Sequence, residues 1–189
     1  MKKRRVLVSV IVIILLALAV VFWLMSQKGQ TMKADVNSSN GSHYTMELPA
    51  EMDPASMDSV SLHYEAPDRE LYVIVIDESK AKIISFGLDY DLETYMKIAS
   101  RTLDSAGMYV NKPLTINNYK ALQTEIKTKH KDKTVVYKLT AIETPKFFYQ
   151  VLVWTTEDRY DSNKEDMEKI VSSFKEVEDK GNVPASEGK

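Results

Sequence analysis

The longest apolar run of the chain lies near its N-terminus and predicts a membrane-spanning helix. Residues Val6–Met25 include no ionisable side chain, and 15 of these 20 positions are Val, Ile, Leu or Phe. A helix of this length, at about 1.5 Å per residue, is about 30 Å long and matches the hydrocarbon core of a bilayer. Four basic residues occupy positions 2–5. By the positive-inside rule, they predict a cytoplasmic N-terminus and an extracytoplasmic remainder.

Two interpretations of this run are open. A cleaved secretory signal has an apolar region of about 7–15 residues followed by a cleavage site of small residues. The run found here is longer and ends in the bulky residues Phe22–Met25. We therefore expect a retained signal-anchor helix over 6–25, preceded by a basic cytoplasmic stub over 1–5. The rest of the chain is exported under either interpretation.

A polar segment separates the apolar run from a predicted domain. Residues 26–42 are rich in Ser, Asn, Gln, Gly and Lys, and Met32 and Val36 are their only larger apolar residues. This composition is typical of a flexible linker. Residues 178–189 contain Gly and Pro among charges and predict a disordered tail. Between these segments lies one predicted domain over 43–177, about 135 residues, which is long enough for an ordinary core.

The apolar patterns within this domain predict a sheet. Residues Leu71–Ile76 and Phe147–Thr155 are apolar at nearly every position, as in strands that are covered on both faces. Alternation over 119–128 and 134–144 predicts a hairpin joined by the polar residues 129–133. Shorter strands are predicted over 43–48, 60–65 and 114–116.

Two helices are predicted from apolar residues spaced three and four apart. The first spans 92–106, with Asp91 as its N-cap and Gly107 at its end. The second begins at Ser162–Glu165, which has the S-x-x-E form of a capping box. The residues expected on its buried face are Met167, Ile170, Val171 and Phe174.

Composition excludes several classes of function. The chain has 25 Lys and Arg residues, four of which precede the apolar run, and 27 Asp and Glu residues, all of which follow it. The exported part therefore has a formal net charge of −6, which disfavours nucleic acid and anionic lipid as partners. The chain has no cysteine. This excludes disulfides, a thiol nucleophile, cysteine-ligated metals and lipoprotein acylation.

The polar residues contain no recognisable catalytic set. The nucleophile elbow is absent, and the glycines lie too far apart for a phosphate loop or a dinucleotide fingerprint. His43 and His63 could approach each other across neighbouring strands and bind a metal with Glu47 or Glu65. This spacing matches no known zinc motif, so we expect ordinary strand histidines. The sequence predicts no catalytic residue, metal or cofactor.

Four segments stand out in the predicted order of strands and helices, namely Tyr44–Pro49, Leu122–Glu125, Phe148–Trp154 and Ile170–Phe174. Together with that order, they resemble bacterial members of the Mog1/PsbP-like superfamily. The resemblance covers about residues 43–177. It implies an α+β fold, an α/β/α sandwich with a mostly antiparallel sheet, and a non-enzymatic module. No functional residue can be carried over, because the chain shows no functional motif of the family.

The expected function follows from anchor, composition and resemblance together. We expect a single-pass membrane protein whose extracytoplasmic domain binds another envelope protein or helps an assembly. The chain also has ten tyrosines, and tyrosine offers contact area with a polar tip. The alternative is therefore a carrier of a small apolar ligand, held in an aromatic cleft between helix and sheet.

Overall fold

The computed structural model describes residues 29–104 and 107–177. The predicted stub (1–5), anchor (6–25) and tail (178–189) lie outside the described residues. Within them, the strands are β1 (Thr31–Asn37), β2 (His43–Pro49), β3 (Asp53–Pro54), β4 (Leu62–Ala66), β5 (Leu71–Ser79), β6 (Lys112–Ile116), β7 (Tyr119–His130), β8 (Lys133–Glu143), β9 (Phe147–Thr156) and β10 (Lys175–Glu176). The helices are α1 (Lys80–Ser85), α2 (Leu92–Leu103) and α3 (Tyr160–Ser172). None of the described helices is long and apolar enough to cross a membrane.

The described strands form two antiparallel sheets. The large sheet has the order β3-β4-β5-β9-β8-β7-β6, and the small sheet has the order β1-β2-β10. Strands β5 and β9, both predicted to be covered on two faces, pair side by side in the middle of the large sheet. The predicted hairpin is formed by β7 and β8. The strand predictions for these central elements are therefore confirmed.

Both faces of the large sheet are covered. On one face, α2 packs mainly against β7 and β8, with Met96 and Phe148 in the shared core. On the other face lie α3 and the small sheet, and Tyr44, Tyr149 and Phe174 belong to that second core. The predicted α+β fold, a mostly antiparallel sheet between two layers, is confirmed. One outer layer, however, combines a helix with a three-stranded sheet.

Helix α2 begins where the sequence predicts. Oδ1 of Asp91 accepts a hydrogen bond from the backbone N–H of Thr94 at 2.7 Å, which caps the helix. This bond also lowers the pKa of the Asp91 carboxyl group. The helix ends at Leu103, because Asp104 already has an extended backbone conformation. The predicted end at Gly107 was therefore too late.

The prediction of a flexible linker over 26–42 is wrong for residues 31–37. These residues form β1, which pairs along its whole length with β2. Only Ala34 is fully buried, while Met32 and Val36 pack against the core from its edge. An edge strand with one buried side chain lacks the apolar pattern of an interior strand, so composition alone did not reveal it. The folded domain therefore includes residues before position 43.

The predicted capping box of the last helix is also wrong. A 3-10 turn over Glu157–Arg159 leads directly into α3, which begins at Tyr160. Ser162 thus lies inside the first turn, and its hydroxyl group donates to the Arg159 carbonyl at 2.8 Å. The side chains predicted for the buried face are all buried, namely Met167, Ile170, Val171 and Phe174.

The hairpin between β7 and β8 has a shorter turn than predicted. The strands extend to His130 and from Lys133, which leaves two residues where five were expected. Lys131 has φ +55°, in the left-handed region that lysine adopts rarely. A two-residue turn usually contains Gly or Asn at such a position. Without either residue the sequence contained no signal for this turn.

Phe174 provides a test of the core beneath α3. Its ring centroid lies 5.4 Å from that of Tyr44 and 4.7 Å from that of Tyr149. Since removal of this ring would leave a cavity, we expect Phe174→Ala to lower the free energy of unfolding by about 3–5 kcal/mol. The same substitution at Phe86, which is 70% exposed, should change it by about 0.5 kcal/mol or less. Urea unfolding measures both values, and equal effects would contradict this packing.

Candidate functional site

A cleft of about 780 Å³ opens beside helix α2, over the β5 side of the large sheet. The cleft exists because α2 packs mainly on β7 and β8. On the same face of the large sheet, α2 therefore leaves β5 less covered. Its walls come from the end of β5, from α1 and the segment after it, from α2, and from the turn between β1 and β2. The volume falls within the range of about 300–1,000 Å³ that is typical of ligand-binding clefts.

Three polar side chains form a hydrogen-bonded group inside the cleft. The hydroxyl group of Tyr95, on the first turn of α2, donates to Oε2 of Glu78 at 2.6 Å. Nε2 of Gln150 in turn donates to the Tyr95 hydroxyl oxygen at 3.1 Å. The Tyr95 ring stacks on Phe148, with ring centroids 4.5 Å apart. Burial and the neighbouring Glu78 charge raise the pKa of Tyr95, so this phenol remains a neutral hydrogen-bond donor.

The turn between β1 and β2 forms the opposite wall of the cleft. The hydroxyl groups of Ser38 and Ser42 donate to Oδ2 of Asp77 at 2.6 and 2.8 Å. Nδ2 of Asn40 donates to the Asp77 backbone carbonyl at 3.0 Å. Asp77 is 2% exposed, and the two serine hydrogen bonds replace water that its carboxylate loses. The turn is thereby attached to β5, on the large sheet.

Exposed apolar side chains surround the mouth of the cleft. Phe86 is 70% exposed, Leu88 43% and Ile98 42%, and all three line the cleft. We call these three residues the apolar rim. Gly87 has φ +74° and its N–H donates to the Ile84 carbonyl at 2.8 Å, which ends α1 as a left-handed C-cap does. Apolar side chains clustered at a concave surface mark a binding site.

The histidines predicted as possible metal ligands are not brought together. His43 lies on β2 in the small sheet and His63 lies on β4 in the large sheet, so the two histidines do not approach each other across neighbouring strands. Nε2 of His43 instead lies 2.8 Å from Oδ1 of Asp35 on β1. In the part of the chain that the structure describes, no cluster of three or more His, Asp or Glu side chains could hold a metal ion.

The predicted aromatic cleft is only partly made of tyrosine. Tyr90 and Tyr95 line it, whereas Tyr44 and Tyr149 are fully buried in the core under α3. Sequence reasoning missed α1 and the apolar rim altogether. A signal was present, since residues 83–88 include four large apolar side chains that fit no predicted strand or helix.

Comparison with known proteins identifies the fold. The chain matches no known protein-family description and no curated protein. Among solved structures, it is similar to cyanobacterial PsbP (CyanoP) from Synechocystis, with 13% identity and a TM-score of 0.58 over 79% of this chain and 95% of that one. LpqN of Mycobacterium tuberculosis, involved in cell envelope biogenesis, is 10% identical with a TM-score of 0.58 over 80% of this chain and 94% of LpqN.

A third similar structure is a Bacteroides thetaiotaomicron protein, with 9% identity and a TM-score of 0.55 over 79% of this chain. The match spans 50% of that protein's length. Identities this low show a shared fold and leave function open. The resemblance to the Mog1/PsbP-like superfamily, predicted from the sequence, is confirmed at the level of the fold.

Tyr95 gives the cleft a measurable pH dependence. Because its pKa is higher in the folded state than the value of about 10 for an exposed tyrosine, its contribution to stability is complete below about pH 10 and is lost as the pH rises further. Tyr95→Phe removes this contribution and the bond to Glu78. We expect it to lower the free energy of unfolding at pH 7 by about 1.5–3 kcal/mol.

The same variant should also lose less stability between neutral pH and pH above 10 than the wild type does. Urea unfolding across this pH range measures both effects. Tyr90→Phe, at another tyrosine of the cleft, is the matched control. An unchanged pH dependence in Tyr95→Phe would show that the buried hydroxyl group of Tyr95 does not contribute to it.

Proposed function

We propose that this PsbP-like domain is held at the outer face of a cell membrane by the helix over 6–25 and binds another envelope protein through its cleft. The uncharged run Val6–Met25 supports the anchor, and the four preceding basic residues support the orientation. The similar structure LpqN is involved in cell envelope biogenesis, which supports a role in the envelope for this chain.

The observation that carries the protein-binding proposal is the apolar rim. Phe86, Leu88 and Ile98 expose large side chains around one concave surface. Full burial of one such side chain is worth about 1.5–3 kcal/mol, and a few central apolar residues supply most of the affinity of a protein interface. An apolar segment of a partner could cover the rim and enter the cleft.

The hydrogen-bonded polar group inside the cleft suits a peptide. The carboxylate of Glu78 and the amide of Gln150 lie beside the apolar rim. They offer an acceptor and a donor to the backbone of an incoming segment, while apolar side chains pack against the rim. A peptide needs both kinds of contact, because its buried backbone groups must keep hydrogen bonds.

The residues of the cleft favour binding over catalysis. A serine nucleophile requires a positioned base beside its hydroxyl group. Ser61, on the wall of the cleft, instead donates to the Val75 carbonyl at 3.1 Å, and its oxygen lies 2.8 Å from the Tyr44 hydroxyl. The hydroxyl group of Ser61 therefore supports the packing of β4 on β5.

A second candidate function is the carriage of a small apolar ligand. The cleft volume of about 780 Å³ favours it, because drug-sized ligands occupy spaces of this size. Native mass spectrometry of a soluble chain that begins at Gly29, and so keeps β1, should then show a bound ligand. A protein mass without any adduct would contradict this second candidate.

Site-specific crosslinking tests the leading proposal. A photoreactive amino acid at position 88 of the full-length chain, in membranes of the source organism, should capture one dominant envelope protein. We expect Phe86→Ser and Ile98→Ser to reduce this product severalfold, because each removes apolar contact area. Met57→Ser is the matched control, since Met57 is exposed to a similar extent, 46%, and does not line the cleft. The same product in all variants would contradict the proposal.

A further inference from the structure

The start of β1 brings the domain close to the proposed anchor. The backbone carbonyl of Gln30 accepts a hydrogen bond from the N–H of Ala50 at 2.9 Å, so the chain is fixed to the domain from Gln30 onward. Four residues, and therefore five Cα–Cα steps, separate this point from Met25, the last residue of the apolar run. At about 3.3–3.6 Å per residue, they span at most about 18 Å.

The hairpin of β1 and β2 has a defined direction relative to this attachment. Thr31 lies opposite Pro49 at the attached end, and Asn37 lies opposite His43 at the other end. Seven residues at about 3.3 Å per residue place these ends roughly 20 Å apart. The turn over 38–42 therefore lies at the end of the hairpin that is remote from the anchor.

The cleft lies at this remote end. Ser39 and Asn40 of the turn line it, and the bonds from Ser38 and Ser42 to Asp77 hold the turn against β5. The apolar rim belongs to the same cleft, because α1 leaves the sheet directly after the end of β5. The apolar rim thus shares a cleft with the turn that is remote from the attachment point.

The attached end of the domain bears charged side chains, in contrast to the apolar rim of the cleft. Gly29, next to the attachment point, lines a separate depression together with Glu51, Arg69 and Arg159. Arg69 pairs with Glu51 and with Asp166, the latter at 2.6 Å. A surface with charges of both signs suits the hydrated headgroup layer of a membrane and is unsuited to its apolar interior.

We infer that the cleft and its apolar rim face away from the chain's own membrane, so that their occupant is an apolar segment of a partner protein that approaches from the far side. This inference rests on the proposed anchor. Exposed apolar side chains on a tethered domain would otherwise be natural candidates for insertion into the same bilayer. The attachment of the chain at the end of β1 that is remote from the cleft opposes that alternative.

Energy transfer to the membrane surface tests this orientation. The chain has no cysteine, so Ser39→Cys and Ala50→Cys each provide a unique labelling position, and both residues are exposed. The full-length variants, labelled with a donor dye, are reconstituted into phosphatidylcholine vesicles that contain an acceptor-labelled lipid. We expect a severalfold higher transfer efficiency from position 50 than from position 39. A third label, at Leu88→Cys, should behave like the label at position 39.

The outcomes separate the orientation from the anchor. Equal transfer from positions 39 and 50 on vesicle-bound protein, or higher transfer from position 39, would overturn the orientation and leave the anchor intact. If the full-length chain failed to float with the vesicles, the anchor itself would be overturned, and the orientation with it. Urea unfolding of the three cysteine variants confirms that each retains the wild-type fold.

Discussion

The arrangement of this domain depends on a single buried carboxylate, that of Asp77 on β5. Hydroxyl groups from both ends of the β1 to β2 turn donate to it, and it thereby joins the small sheet to the large one. The junction forms one wall of the cleft. Pairing with β2 makes β1 part of the same domain, which shortens the proposed connection to the membrane. The wall of the cleft and the attachment of the turn to β5 thus have one physical origin.

The energetics of this junction favour a defined position for the turn. A carboxylate that is 2% exposed has lost most of its hydration, which costs several kcal/mol unless hydrogen bonds replace it. Each hydrogen bond to a charged group contributes about 1.5–3 kcal/mol. Ser38 and Ser42 can therefore offset the loss only while both hydroxyl groups stay in place. Displacement of the turn would break both hydrogen bonds to this carboxylate, so we expect the wall of the cleft to be preformed.

The sequence predicts well those elements whose characteristic residues lie within one short segment of the chain. Helix α2 has its apolar spacing and Asp91 in one short segment, and β5 and β9 are apolar on both faces. Strand β1 escaped prediction because its pairing with β2, rather than its own composition, makes it a strand. The turn at Lys131 escaped because its conformation is one that lysine seldom adopts.

The candidate site could not be predicted for a related reason. The cleft is built from residues far apart in the chain, such as Asn40, Glu78, Ile98 and Gln150, and no motif connects them. The short helix α1 buries only Ile83, so it has no apolar stripe to reveal it. A cleft between a helix and the sheet is present, but the residues that line it could be identified only from the assembled sheets.

Amide hydrogen exchange across residues 31–42 tests the central claim, that β1 and its turn are integral to the domain. Backbone amides that are hydrogen-bonded in a sheet exchange only when the strand opens. We predict strong protection of the β1 amides that bond to β2, comparable to that of the outer strands of the large sheet. Exchange at the rate of an unstructured peptide throughout 31–37 would show that this segment is a free linker, and would contradict the account of the cleft and its orientation.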